Sequence, residues 1–142
     1  MFVLFDDPEA LLVSYLRTTL PTFGIDLPVS TDVPRGADGH PLAAYVRVRL
    51  LGGGQRDTVI DEALFAIENH FGIDEDSVEA SRVASLIRAL VTAMPDRVPA
   101  VRRVRETSRP TPRHHPDTGA PSYSQSHQLT TRGTMPQNGS FS

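Results

Sequence analysis

The sequence predicts an α+β domain in the order αβββαββ, a mostly antiparallel sheet of about four to five strands with two helices packed on it. Three observations predict it. Two segments repeat apolar residues at spacings of three and four, and each is closed by a proline, Pro21 or Pro95. Between and after them lie runs in which apolar and polar residues alternate, the period of a half-buried strand. The chain has 142 residues, 39% of them apolar, which suits one modest core with a tail rather than two domains.

The first helix starts at Asp7 and Pro8, where the aspartate can cap free backbone N–H groups and proline is preset for the first helical position. Leu12, Leu16 and Leu20 then form one stripe, with Leu11 and Tyr15 beside it, and Pro21 stops the helix. Residues 25–33 alternate Ile25, Leu27, Val29, Thr31 and Val33 with polar residues and Pro28, which predicts an edge strand. After the turn-rich PRGADGHP loop, residues 42–51 give the clearest strand, and the glycines at 52–54 are read as the loop that ends it. Those glycines lack the GK[ST] continuation of a phosphate loop. Residues 57–70 fit either period, and the strand reading is favoured because Gly72 separates them from a stronger helix. That helix opens at residues 74–77 behind Asp74, Glu75 and Asp76 and carries Val83, Leu86, Ile87, Leu90, Val91 and Met94. Two strands follow, VPAVRRVRETSRPTPRHH and PSYSQSHQLTTRG, joined by a PDTG turn. The body therefore spans residues 1–133, and residues 134–142 are expected to be a disordered tail.

Charge is placed unevenly along the chain. Residues 1–96 carry seven Arg against fifteen acids, net −8, and residues 97–142 carry seven Arg against two acids, net +5. All fourteen basic residues are arginine, a bias that nucleotide composition explains without a selected surface. No cysteine is present, which excludes thiolate metal sites and cysteine nucleophiles. The opening MFVLF is too short for a membrane span and has no basic residues before it.

The histidine-rich stretch RHHPDTGAPSYSQSHQ invites a metal reading, but adjacent His114 and His115 would point to opposite faces of a strand. No HExxH or comparable ligand spacing occurs, so no metal and no cofactor are expected. Neither a GxSxG elbow nor a recognisable nucleophile and base pairing appears, so the chain does not read as an enzyme.

The pieces LPVSTDVP, PLAAYVRVRLLGGG, DEDSVEASRVASLIRAL and RHHPDTGAPSYSQSHQLTTRG, in this order, resemble the tail terminator proteins of long-tailed bacteriophages, the lambda minor tail protein U type found in actinobacteriophages. The resemblance covers about Asp7 to Gly133 and is most specific in the closing hairpin. It implies a structural virion protein at the tail–neck junction, made in the host cytoplasm. Copies would form a ring, a hexamer, on the end of the tail tube, stop its growth and meet a neck or head-completion protein. A head–tail connector, stopper or tail-completion protein is the alternative. The sequence departs from the family's pattern where His70 and Phe71 replace a large aromatic, and in the polar run Ser124 to His127, which suggests a wet or partner-facing side of the last strand.

The candidate subunit or bore interface comprises Arg102, Arg103, Arg105, Tyr123 and His127. In a regular strand Arg102 shares a face with Val104 while Arg103 and Arg105 share the other. Solvated surface, a subunit contact and a non-specific contact with DNA in the bore all remain open for the arginines. Sequence-specific recognition is not indicated, because no helix-turn-helix or zinc finger is visible.

Overall fold

A computed structural model of the chain describes residues 2–72, 77–114 and 119–135. The acids Asp74 to Asp76, His115, most of the PDTG turn and the tail from residue 136 lie outside them.

Helix α1 spans Pro8–Thr19, and Asp7 caps it as its sequence implies: the carboxylate accepts from the backbone N–H of Glu9 and Ala10. A 3₁₀ turn, Leu20–Phe23, follows and ends at Gly24. Next come β1 (Val29–Ser30), β2 (Tyr45–Gln55), β3 (Ile60–His70), α2 (Ser77–Thr92), the one-turn α3 (Met94–Arg97), β4 (Val101–His114) and β5 (Pro121–Arg132). The five strands form one sheet in the order β1-β2-β3-β5-β4, antiparallel except where β1 runs parallel to β2. Because β5 inserts between β3 and β4, helix α2 connects two parallel strands across an intervening one, a split β-α-β arrangement.

The α+β class and the mostly antiparallel sheet agree with the sequence pattern, and three details differ. The strand expected over 25–33 shrinks to Val29–Ser30, because Ile25 is held in the helix exit by a bond from its N–H to the Leu20 carbonyl and Ser30 Oγ bends the chain by accepting from Asp32 N–H. Its edge position agrees, with the Pro28 carbonyl receiving Val46 N–H. The glycines at 52–54 do not end β2 but lie inside it, after an irregularity between Leu50 and Gly52. Gly53 has φ 116°, and a Cβ there would run into the Glu62 carbonyl, so glycine lets the two strands close together where a side chain would block them. Pro95 does not simply close α2; it sits in the first turn of α3, which adds a third helix.

All the helices lie on one side of the sheet. Leu12, Leu16 and Leu20 from the first helical segment and Val83, Ile87 and Val91 from α2 meet Val46, Val48, Phe65, Ile67 and Leu129 in one core. Helix α2 is also held by polar groups of β3, β5 and α1. Asn69 Nδ2 donates to the Ala80 carbonyl at 3.0 Å, and Gln125 Nε2 donates to the Ala84 carbonyl at 3.0 Å. Tyr15 Oη donates to the Leu90 carbonyl at 2.5 Å. The two alanines, one helical turn apart and fully buried, have side chains small enough for the amides to reach the helix backbone. Among the described residues the other face of the sheet carries no helix, and an antiparallel Leu4–Thr134 bridge joins the segment before α1 to the residues after β5.

Candidate functional site

Alternation along the strands decides what the open face presents. On β5 it presents Ser122, Ser124, Ser126, Gln128 and Thr130, while Gln125, His127, Leu129 and Thr131 are buried against the helices. The register extends this face to Glu68, Ala66, Leu64 and Glu62 on β3 and to Arg47 and Arg49 on β2. On β4 it adds Arg103 opposite Thr130, Arg105 opposite Gln128 and Arg113 opposite Ser122.

Arginines from separate strands thus converge on one surface. Arg105 donates to Gln128 Oε1 at 2.7 Å, Gln128 Nε2 donates to Glu62 at 2.7 Å, and Arg56 reaches the same carboxylate at 2.9 Å. This chain of contacts walls a small hollow shared with Arg103 and Thr130. Further along the same face, a groove of about 470 Å³ is lined by Arg49, Glu68, His70 and Arg113 and by the hydroxyls of Ser108, Thr111 and Ser122 to Ser126. There Glu68 accepts from Arg49 at 3.1 Å and lies 3.0 Å from His70 Nε2, whose ring stacks on Tyr45. The His70 hydrogen bond, with Arg49 helping and burial opposing, lowers the Glu68 carboxyl to about 2. Six arginines, at positions 47, 49, 56, 103, 105 and 113, therefore share this side of the sheet with Glu62 and Glu68, a formal +4, with Arg47 also donating to the Thr31 carbonyl at 3.2 Å. The other eight arginines and fifteen acids sum to −7, which with +4 gives the whole chain's −3.

The residues singled out in the sequence divide between the two sides of the sheet. Arg103 and Arg105 share the open face as expected. Arg102 does not pair with Val104's face: the irregularity between Val101 and Arg103 leaves it unpaired at the sheet edge, and both valines turn toward the helices. Tyr123 is half-buried on the helix side, beside Ser77, Val78, Ser81 and Arg82 of α2. His127 is 0% exposed, so it belongs to the core and not to an interface. The polar run Ser124 to His127 likewise has a dry explanation on that side, since Gln125 and His127 are buried under α2 and bonded to each other at 2.7 Å. Asn69 and Gln125, which fix α2, were invisible as a pair because nothing in the sequence says which helix carbonyls they meet.

The edge strand β4 is exposed along almost its whole length and carries Arg102, Arg103, Arg105, Arg109 and Arg113. Its single acid, Glu106, is held by Arg88 of α2 at 2.6 Å. At the opposite edge, β1 covers β2 only at Val46 and Arg47, so β2 from Val48 to Gln55 has no further strand beside it among the described residues. Leu50 and Leu51 there are 50% and 49% exposed.

A wider furrow of about 670 Å³ runs beside α1, lined by Asp6, Leu11, Tyr15, Arg97 and their neighbours. It holds no histidine and no paired nucleophile and base. Among the described residues no three of His, Asp or Glu gather as metal ligands, and no helix is long and apolar enough to cross a membrane. A scan against protein-family models finds no match, and no curated protein matches the chain.

Proposed function

We propose that the protein is a structural subunit of a bacteriophage virion, not an enzyme, and that copies of it form a ring on the end of the tail tube. The ring, a hexamer, stops tube elongation and offers the neck or head-completion protein a surface to join. The observation that carries this reading is the pair of unlike sheet edges, unpaired among the described residues, one arginine-bearing and the other glycine-rich with exposed leucines. A ring requires a patch on each subunit that meets a different patch on the next. The edges supply such patches differently, the β2 edge through N–H and C=O groups able to pair with another strand and the β4 edge, interrupted by Pro110 and Pro112, through its arginine side chains. The order of sequence segments, and above all the closing hairpin, supports the tail terminator over other neck proteins.

Isolated copies are expected to stay monomeric until the tube end presents a template. The test is to mix purified protein with tail tubes of its own phage and image the ends by electron microscopy. Ring density on one end with arrested growth is the expected result. Uncapped, growing tubes would overturn the terminator reading and favour a connector or stopper bound elsewhere in the neck.

A further inference from the structure

We propose that the open face of the sheet is a binding surface for the phosphodiester backbone of a nucleic-acid duplex, without sequence preference. This goes beyond assembly and can be tested on the isolated protein.

The open face of the sheet is basic, with six arginines against Glu62 and Glu68, a formal +4. Arg47 and Arg49 stand on β2, while Arg103, Arg105 and Arg113 stand on β4, three strand spacings away. At about 4.8 Å per step the two rows are roughly 14 Å apart, near the ~12 Å width of a duplex major groove. Between them run the hydroxyls and amide of β5, short groups that can donate to phosphate oxygens, and on β3 the carboxylates Glu62 and Glu68, each already neutralised by Arg56 or Arg49. Among the described residues no carboxylate pairs with Arg103 or Arg113, so their donors are available without breaking an ion pair.

The same face suits other polyanions less well. A protein partner would want an apolar or aromatic centre, whereas the middle of this face offers Ser124, Ser126 and Gln128 of β5 and Glu62 and Glu68 of β3, with Leu64 and Ala66 as its apolar groups. A single strand would want exposed rings on which bases stack, yet Tyr45, the aromatic of this face, is already stacked on His70. Phosphate contacts by Arg, Ser, Thr and Gln fix a backbone but read no bases, hence the lack of sequence preference.

Fluorescence anisotropy with labelled 30-base-pair DNA duplexes of two unrelated sequences at 50 mM salt tests this. Binding with a dissociation constant on the order of 10⁻⁵ M, equal for both sequences and at least several-fold weaker for a single strand, is expected. The triple variant Arg103→Gln, Arg105→Gln, Arg113→Gln should bind at least about 10-fold more weakly and lower the slope of log K against log salt by about 2 to 3. Arg82→Gln, on the helix side, should change neither, and circular dichroism melts verify that each variant is folded. Absence of duplex binding at 50 mM salt, or binding that the triple variant leaves intact, would overturn the proposal. So would sedimentation showing that these arginines hold two copies together while DNA does not bind. Capping of tail tubes is read separately, so failure of one reading leaves the other standing.

Discussion

Gln125 shows how one buried side chain can fix both a helix and a histidine. Its Nε2 donates to the Ala84 carbonyl and its Oε1 accepts from His127, which therefore carries its proton on Nε2. Gln125→Leu would leave His127 Nε2 buried without an acceptor, while the Ala84 carbonyl still accepts within α2, so it should destabilise the fold by about 1–3 kcal/mol in urea titrations, whereas Ser124→Ala on the open face should cost less than about 0.5 kcal/mol. His127 Nδ1 has no partner among the described residues, and burial pushes the imidazole below its ordinary value of 6.5, with Glu106 opposing and Arg88 assisting. A histidine with a depressed folded value stabilises the protein above its unfolded value and loses that contribution as pH falls below 6.5. Stability should thus decline from pH 7 toward pH 5 by up to about 1.4 kcal/mol per unit, and His127→Leu should flatten that decline. Denaturation midpoints at three pH values check it.

Among the elements, β2 departs furthest from its sequence signature, since a triple glycine ordinarily breaks a strand. Here the glycines continue it because Gly53 lies against the backbone of β3, at a φ that side chains rarely adopt. Gly53→Val should cost at least about 2 kcal/mol, while Gly54→Val, with open space around its Cβ position and no positive φ, should cost less than about 0.5 kcal/mol. Thermal melts of the two variants separate a packing requirement from mere turn composition. Strand β4 manages its exposed edge differently, with Pro110, Pro112 and five arginines that discourage pairing with random strands.

For the molecule as a whole, the sheet is a partition, with the helices packed on one side and a basic, arginine-bearing face on the other. If free edges join copies into a ring, the β2 edge is the place to interfere without unfolding the subunit. Leu50→Lys with Leu51→Lys should leave stability within about 1 kcal/mol, because both side chains are half-exposed, and should abolish ring caps on tail tubes. Melting curves and electron microscopy of the same preparation read the two effects.

Periodicity and punctuation alone determined the class of the fold, the cap at Asp7, both long helices, the central strands and the inward face of β5, because each is set by residues within a few positions of one another. Local pattern also placed Arg103 and Arg105 on a common face. Only the tertiary structure decided that Arg47 and Arg49 share that face with them, that Arg102 falls in an irregularity, that His127 is core and that the glycines at 52–54 are strand. Those outcomes depend on which strands become neighbours and in what register, and one residue of slip would turn every side chain to the opposite side. Position along the chain did not gather the basic face either: Arg47, Arg49 and Arg56 come from the acidic part before residue 97 and Arg103, Arg105 and Arg113 from the basic part after it, and the pairing of β2 with β3 and of β4 with β5 is what places them on one surface.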